Sequence, residues 1–523
     1  MIQDLDIKQK DKYYLLFITI FTTVLVAYYI KFNINLGIYC SDVYVYLLNS
    51  IYYTGKNIHS TSNIYLSPVI CFITSIFFRM GFVDRTVIYI VTGAFAILGN
   101  IGFYLLLKRY FNETMSLTGT IIYSASTLYL TWLANGTLDI PANTMTIWIV
   151  LFSIIAIKNN PKFYKYLFTL FVLGVFTRYS VMIVLPAIML YYVYEKGFKI
   201  ESEDKKYIIK GIEIAAILGV IVLAILLIMG SGQFGAGYQI SSGITGQQGS
   251  ELDPAYNADE SYYLMNLPNF ISNSHTIIKG NPILENPTVL SWAIFAILLI
   301  GAGLWLYDNK RKLNKKDGIV ITLIIITIAT FSHISSFITI LLSLLTLFLM
   351  GKDNENKTGY FMAGWILTNF IFYSYYSIKV NRYILPVFPP SIYFILMGIT
   401  QIHNHLKINK SFIPIILIVL FIIQAFAFTS TFDVNDEFRH PEEMSKYIVD
   451  NDPHYDTVSI GAYNLRPYSW WLGENVVGIV NSNQTAIDES NVTYYISNKQ
   501  LDNLNNYDEI KNMGNLYLYK KSV

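Results

Sequence analysis

The sequence predicts a polytopic α-helical membrane protein of about 13 transmembrane helices that ends in a small extracytoplasmic α/β domain. Three observations carry that prediction. Of the 523 residues, 54% are hydrophobic, 16% aromatic and only 14% charged, whereas a soluble domain carries about 25% charged residues. Apolar runs recur along the first four-fifths of the chain, most of them long enough to cross ~30 Å of hydrocarbon. Beyond residue 428 the chain turns charged and Asn-rich, and no longer resembles a membrane segment.

The spans are expected near 13–31, 86–107, 114–134, 140–157, 164–177, 179–194, 209–230, 287–307, 318–334, 336–350, 359–378, 383–403 and 411–428. Lys8, Lys10 and Lys12 precede the first, but no small-residue cleavage site follows it, so it reads as a span and not as a removed signal. Orientation follows from the excess of Lys and Arg in short cytoplasmic loops. With the N-terminus inside, inner loops hold 22 of the 37 basic residues, and the outer side of the membrane part holds eight. An odd number of spans then places residues 429–523 outside. This gives an integral protein of the cell (plasma) membrane with a cytoplasmic N-terminus. A net charge of +2 without a basic stripe gives no sign of a nucleic-acid partner.

The non-membrane sequence lies on the outer side. A first outer loop, 32–85, contains an amphipathic stretch, 42–53, and an apolar stretch, 65–82, with Ser67-Pro68 near its start. Proline suits the first turn of a helix. If 65–82 crossed the bilayer, every later Lys/Arg-rich loop would change sides, so this stretch is expected to lie at the interface or to re-enter. A second outer loop, 231–286, is rich in Gly, Ser, Gln and Asn. It fits a lid that orders over substrate or a plain connector equally well. In the tail, 440–450 reads as a helix, and 458–463, 476–480, 493–497 and 516–519 read as strands. The organisation is thus a membrane domain, 1–428, and a small α/β domain, 429–523. Cys40 and Cys71 share the first outer loop. A bridge between them is open, although buried thiols are the commoner use of two such cysteines.

Ionisable groups are few in the membrane part, and four sets fall at one face. Asp42 stands in Cys40-Ser41-Asp42-Val43-Tyr44-Val45-Tyr46, Asp139 in Gly136-Thr137-Leu138-Asp139-Ile140-Pro141, and Arg178 in Phe176-Thr177-Arg178-Tyr179. Lys379 and Arg382 precede the twelfth span in Ile378-Lys379-Val380-Asn381-Arg382-Tyr383. Taken singly, each has an ordinary use. Asp42 and Asp139 suit helix N-caps, and Arg178 and Lys379 suit snorkelling side chains. Gathered at one level of a charge-poor domain, they suit function better, because ionisable groups near hydrocarbon are expensive. The chemistry they fit is transfer from a lipid-linked phosphate. Cations hold the phosphate, with arginine giving forked hydrogen bonds, and a carboxylate takes the proton of an attacking hydroxyl.

On these residues the chain resembles the GT-C membrane glycosyltransferases, in the branch of protein O-mannosyltransferases and lipid A aminoarabinose transferases. The resemblance runs in order through Asp42 with Tyr46, the Pro68-led segment, Arg85, Leu138-Asp139, Phe176-Thr177-Arg178 and Arg382-Tyr383-Ile384-Leu385-Pro386. Tyr468-Ser469-Trp470-Trp471 is similar to the small outer domain of some members. It implies a polyprenyl- or dolichyl-phosphate sugar as donor, and an outer-face hydroxyl on a protein or a lipid-linked glycan as acceptor. It further implies Asp42 and Asp139 as catalytic residues, with Asp42 the base and Asp139 orienting the acceptor or an ion. Arg382, Arg178 and Lys379 would bind the donor phosphate, and Tyr46 and Tyr383 the substrate. Many members carry an Asp-Glu pair where this chain has Ser41-Asp42-Val43. The second carboxylate is missing, which leaves a divalent metal open. Two other classes remain: a transporter or flippase of a lipid-linked or small polar substrate, which tends to place its ionisable groups at the bilayer midplane, and an inactive assembly scaffold.

Overall fold

The computed structural model describes residues 7–56, 68–228, 260–272, 288–308, 315–331, 333–352, 356–376, 379–406, 409–430, 436–502 and 504–522. Each apolar segment expected from the sequence is helical over most of its described residues, and among those residues seven helices have the length and hydropathy of a membrane crossing. In chain order the first are α1 (Gln9–Leu36), α2 (Ser41–Tyr52), α3 (Pro68–Arg79), α4 (Arg85–Leu107), α5 (Glu113–Ser124), α6 (Thr127–Thr131), α7 (Asp139–Lys158), α8 (Tyr164–Thr177), α9 (Leu185–Lys196) and α10 (Ser202–Ile228). The short α11 (Tyr262–Met265) and α12 (Leu267–Ser272) follow, then α13 (Val289–Asp308), α14 (Lys315–Ala329), α15 (Ser336–Gly351), α16 (Lys357–Tyr375), α17 (Phe388–Leu406) and α18 (Phe412–Ser430).

Local chemistry explains the boundaries. Asp84 opens α4 by accepting from the Thr86 amide at 2.7 Å, and Asn112 opens α5 by accepting from Met115 at 2.9 Å, which satisfies amides that a helix start leaves unpaired. The expected span 114–134 is not one helix. It breaks after Ser124, where Ser126 starts the short α6 by capping the Tyr129 amide at 3.3 Å. The segments 179–194 and 383–403 each begin as a 3-10 turn, Tyr179–Val184 and Asn381–Val387, before α9 and α17. Pro186 and Pro386 stand at these junctions, where an imino acid cannot donate to the preceding turn. Of the expected apolar stretch 65–82, residues 68–79 form α3, with Pro68 its first residue.

Inside the bundle α4 packs between α1 and α7. Asn100 reaches Thr22 at 3.0 Å and Thr144 reaches the Phe95 carbonyl at 2.8 Å, so polar side chains cross between helices instead of facing lipid. At the opposite end from the candidate site, Asp11 is fully buried, accepts from Tyr104 at 2.7 Å and pairs with Lys108.

The C-terminal residues build a mixed five-stranded sheet of order β2-β1-β3-β5-β4. Its strands are β1 (Ile460–Ala462), β2 (Val476–Gly478), β3 (Tyr494–Ser497), β4 (Tyr507–Met513) and β5 (Leu516–Lys521). Helices α19 (His440–Asn451), α20 (Leu465–Leu472) and α21 (Gln484–Glu489) flank it. Alternation along β3 sorts the two faces. Tyr494 and Ile496 join Met444, Ile448 and Tyr468, while Tyr495 turns to Ile487 and Tyr519. The sequence missed β4, whose Tyr-Asp-Glu-Ile-Lys-Asn-Met run has one buried residue and a bulge at Glu509/Lys511. An edge strand with so little apolar surface leaves a weak signal.

This domain sits on α2, α3 and α4. Arg85 pairs with Glu442 at 2.5 Å, donates to the Ile34 carbonyl at 3.0 Å and lies 5.4 Å over the Trp471 ring. Trp470 stacks on Phe78 at 6.1 Å. Gly37, at φ +93°, passes so close to the Phe438 carbonyl that a Cβ would come within 2.6 Å, so only glycine fits where the chain returns beneath the sheet domain.

Candidate functional site

The site lies where α8 ends, where α2 and α7 begin and at the 3-10 turn before α17. Asp42 is in the first turn of α2, but Cys40 holds the N-cap position and makes no side-chain cap. The capping use of Asp42 is therefore not adopted. Asp139 likewise is the first residue of α7, behind Leu138, which makes no side-chain cap. Both carboxylates turn to arginines instead. Arg382 places Nη2 2.9 Å from Asp42 Oδ2 and Nη1 3.7 Å from Asp139 Oδ2. Arg178 donates from Nη1 to Asp139 Oδ1 at 2.6 Å. The result is a continuous chain, Asp42–Arg382–Asp139–Arg178, of alternating charge.

Each member is held by its own element. Asp139 follows a tight turn in which Ala134 (φ +49°) and Gly136 (φ +84°) both have positive φ. Positive φ at a non-glycine costs about 1–3 kcal/mol and persists only where the surroundings enforce it. Here Asn33 donates to the Ala134 carbonyl at 2.9 Å, the Gly136 amide donates to Thr92 at 3.3 Å, and Asn135 donates to the Tyr39 hydroxyl at 2.6 Å. A Cβ on Gly136 would meet Val43 of α2 at 2.9 Å, so this turn also sets how near α2 approaches.

Arg382 lies on the 3-10 turn Asn381–Val387. Trp132 donates from Nε1 to Asn381 Oδ1 at 3.2 Å, and Tyr263 both donates to and accepts from the Val380 backbone, at 2.9 and 3.1 Å. The guanidinium sits between the rings of Trp132 and Tyr383, at 5.4 and 5.6 Å, a geometry that favours Arg over Lys. Tyr383 also lies 5.5 Å from the Arg178 guanidinium and stacks on Tyr373 at 5.1 Å.

The members differ in access. Side-chain exposure is 5% for Asp139, 12% for Arg382, 20% for Arg178 and 34% for Asp42, so Asp42 is the open end of the chain. Two polar atoms inside it, Arg382 Nε and Asp139 Oδ2, are buried without a hydrogen-bond partner among the described residues. Burial pushes the Asp42 carboxyl up, but the Arg382 guanidinium against it, with Arg178 and Arg466 farther off, outweighs that and leaves it below the usual Asp value. Cys40 lies 3.6 Å from Arg382 Nη1, and its thiol is pushed up to about 11, first by burial and then by Asp42. It is a neutral neighbour. Cys40 and Cys71 are both free thiols, so the bridge that the sequence left open is not formed.

Of the residues singled out in the sequence, Asp42, Asp139, Arg178, Arg382 and Tyr383 meet here. Lys379 donates from Nζ to the Tyr376 carbonyl, and Tyr46 is buried in the apolar cluster of α2, α3 and α4. The expected lid, 231–286, falls mostly outside the described residues, as does Ser67. Its described part, α11 and α12, brings Tyr263 to the backbone just before Arg382. Trp132 and Tyr373 were not singled out, because an aromatic within an apolar span looks the same whether it packs against a chain or cradles a guanidinium. Among the described residues no three His, Cys, Asp or Glu side chains gather to hold a metal. Asp42 and Asp139, with Arg382 between them, do not fit one.

Comparison with known proteins agrees with the architecture. Residues 66–229 match the family model for dolichyl-phosphate-mannose-protein mannosyltransferase, a region holding Asp139 and Arg178 but not Asp42 or Arg382. The fold is similar to ArnT from Cupriavidus metallidurans bound to undecaprenyl phosphate, with 10% identity over 96% of this chain and 97% of that one at a TM-score of 0.59. In its apo state ArnT gives 9%, 97%, 98% and 0.59. The apo oligosaccharyltransferase of Archaeoglobus fulgidus is similar over 94% of this chain and 70% of its own, with 10% identity and a TM-score of 0.47. Curated protein sequences give no match. The resemblance to the GT-C superfamily read from the sequence holds for the fold and for residues 66–229.

Proposed function

We propose that the protein is a membrane glycosyltransferase that moves a sugar from a polyprenyl- or dolichyl-phosphate donor to a hydroxyl on a protein or lipid-linked acceptor at the outer membrane face. The observation that supports this most directly is the Asp42–Arg382–Asp139–Arg178 chain, with its one open carboxylate beside a buried guanidinium. The match to a mannosyltransferase family model and the lipid phosphate carried by the ArnT structure support the same donor class.

In this reading the donor phosphate takes hydrogen bonds from Arg382 and Arg178. The acceptor hydroxyl attacks the anomeric carbon and gives its proton to Asp42. The new C–O bond forms as the bond between that carbon and the phosphate oxygen breaks, and the electron pair stays on the phosphate. The arginines neutralise that charge as it develops, so a separate acid for the leaving group is unnecessary. Arg382 has a double part. Before the donor arrives it holds Asp42 as a weak base. Sharing its fork with the phosphate loosens the Arg382–Asp42 pair and makes the carboxylate more basic when the proton must move. Asp139 keeps both guanidinia aimed at the phosphate. Trp132, Tyr373 and Tyr383 hold the fork rigid, so little order is lost on binding.

The protein would lie in the plasma membrane with its N-terminus in the cytoplasm, and the sheet domain and site outside, where nucleotide sugars are absent. Purified protein incubated with polyprenyl-phosphate sugars and a hydroxyl acceptor should release polyprenyl phosphate in step with glycosylated acceptor. Movement of intact lipid-linked sugar across a vesicle membrane without release would overturn the reading in favour of a flippase.

A further inference from the structure

The four charges of the site cancel: Asp42 and Asp139 against Arg382 and Arg178. A lipid-phosphate sugar is a phosphodiester and brings one further negative charge. In a partly buried site an uncompensated charge is costly, so a neutral set of four is an incomplete receptor for that ligand. The sheet domain carries a further cation close to this set. Helix α20 packs directly against α2, the helix that carries Asp42, and Trp470 and Trp471 at its end join the apolar cluster of α2, α3 and α4. In its first turn is Arg466, whose amide donates to the Asn464 cap at 3.4 Å and which Pro467 follows. Its backbone position is therefore fixed. The side chain is half-buried and makes no ion pair or hydrogen bond among the described residues. It is nevertheless near enough for its charge to act on the Asp42 carboxyl.

Resting on the function proposed above, we propose that Arg466 is a further substrate-binding residue, delivered across the domain interface, which binds the phosphate of the lipid donor. The sheet domain is then a working part of the site, and its attachment through Arg85–Glu442 and Trp470–Phe78 keeps this cation beside α2, the helix that carries Asp42. Among the described residues Arg466 has no pairing to give up when the phosphate arrives. Arg382 must share its hydrogen bonds with Asp42.

The test uses the full chain in detergent, with undecaprenyl phosphate as probe and uncharged undecaprenol as reference. Arg466→Gln should weaken undecaprenyl phosphate binding about ten- to a hundredfold, the range of a hydrogen bond to a charged group, and leave undecaprenol binding unchanged. Arg466→Lys should recover part of the loss. Lys499→Gln, which removes an exposed charge of the same domain, should bind and melt like the parent. Should Arg466→Gln fold poorly, Arg466→Lys still carries the test, because a retained charge without the fork must bind between the two. Unchanged phosphate affinity in both variants overturns the proposal, and so does a rise in acceptor KM alone, which would assign Arg466 to an anion of the acceptor. If Arg382→Ala weakens phosphate binding while the Arg466 variants do not, this inference fails and the proposed function stands. If Arg382→Ala also binds normally, the proposed function itself fails.

Discussion

Arg382 Nη2 stands 2.9 Å from Asp42 Oδ2, so the cation proposed to hold the donor phosphate and the carboxylate proposed to take the acceptor proton are two halves of one ion pair. They are 340 residues apart in the chain. In the proposed mechanism donor binding and base strength are coupled through this pair.

Asp42→Asn keeps the shape and a hydrogen-bond acceptor for Arg382 but cannot take a proton. It should fold, bind lipid phosphate at least as well as the parent, since one competing carboxylate is gone, and lose turnover by about 10²–10⁴, the usual contribution of a general base. Single-turnover transfer measures this. Near-normal transfer would leave Asp42 a partner of Arg382 and nothing more.

The Arg382–Asp42 pair also sets a pH dependence. The Asp42 carboxyl is held below its ordinary value, so it stays ionised as pH falls through the range in which a free Asp, near 3.9, takes up a proton. The stability it contributes is present above that value and is lost only as pH falls through the lower folded one. In the free enzyme the acid limb of kcat/KM should accordingly lie below about pH 4. Arg382→Ala should shift that limb upward and weaken donor binding about tenfold or more. An acid limb in the same place in both proteins would show that another group controls it.

Asp139→Asn is expected to be more damaging than the position of Asp139 in a tight turn alone implies. The carboxylate bridges two arginines and is 5% exposed. Its neutralisation leaves Arg178 with no carboxylate partner among the described residues, and breaking a buried pair from one side costs about 3–5 kcal/mol. A lowered thermal midpoint together with lost donor binding is the outcome to look for. Asp139→Asn with parental stability would mean that water already screens the pair.

Arg85 and Glu442 join the bundle to the sheet domain at 2.5 Å with little exposure on either side. Arg85→Ala and Glu442→Ala should each loosen that attachment, and the double variant should be less than additive because both remove the same contact. Hydrogen exchange over α19 (His440–Asn451) reads this out: faster exchange in both single variants, with no further gain in the double.

Sidedness is tested by labelling. A cysteine placed at the exposed Lys499 should react with an impermeant thiol reagent from outside intact cells, and one at the exposed Lys205 should not. The reverse pattern would invert the Lys/Arg argument and move the site to the cytoplasmic face.

The sequence by itself determined the helical membrane architecture, the small C-terminal sheet domain and a short set of charges worth testing. Hydropathy, capping residues and period-2 alternation act over a few neighbours, so a linear reading recovers them. It picked out Asp42, Asp139, Arg178 and Arg382 because an ionisable group is conspicuous in an apolar chain. Tertiary structure alone decided that the two Asp residues are not caps, that Tyr46 packs in the apolar cluster of α2, α3 and α4, that Lys379 turns to the Tyr376 carbonyl and that Trp132 and Glu442 stand beside Arg382 and Arg85. Each of those outcomes depends on which of several distant, chemically equivalent partners comes within about 3–6 Å. Local propensity carries no information about that choice, because packing of the whole bundle sets it.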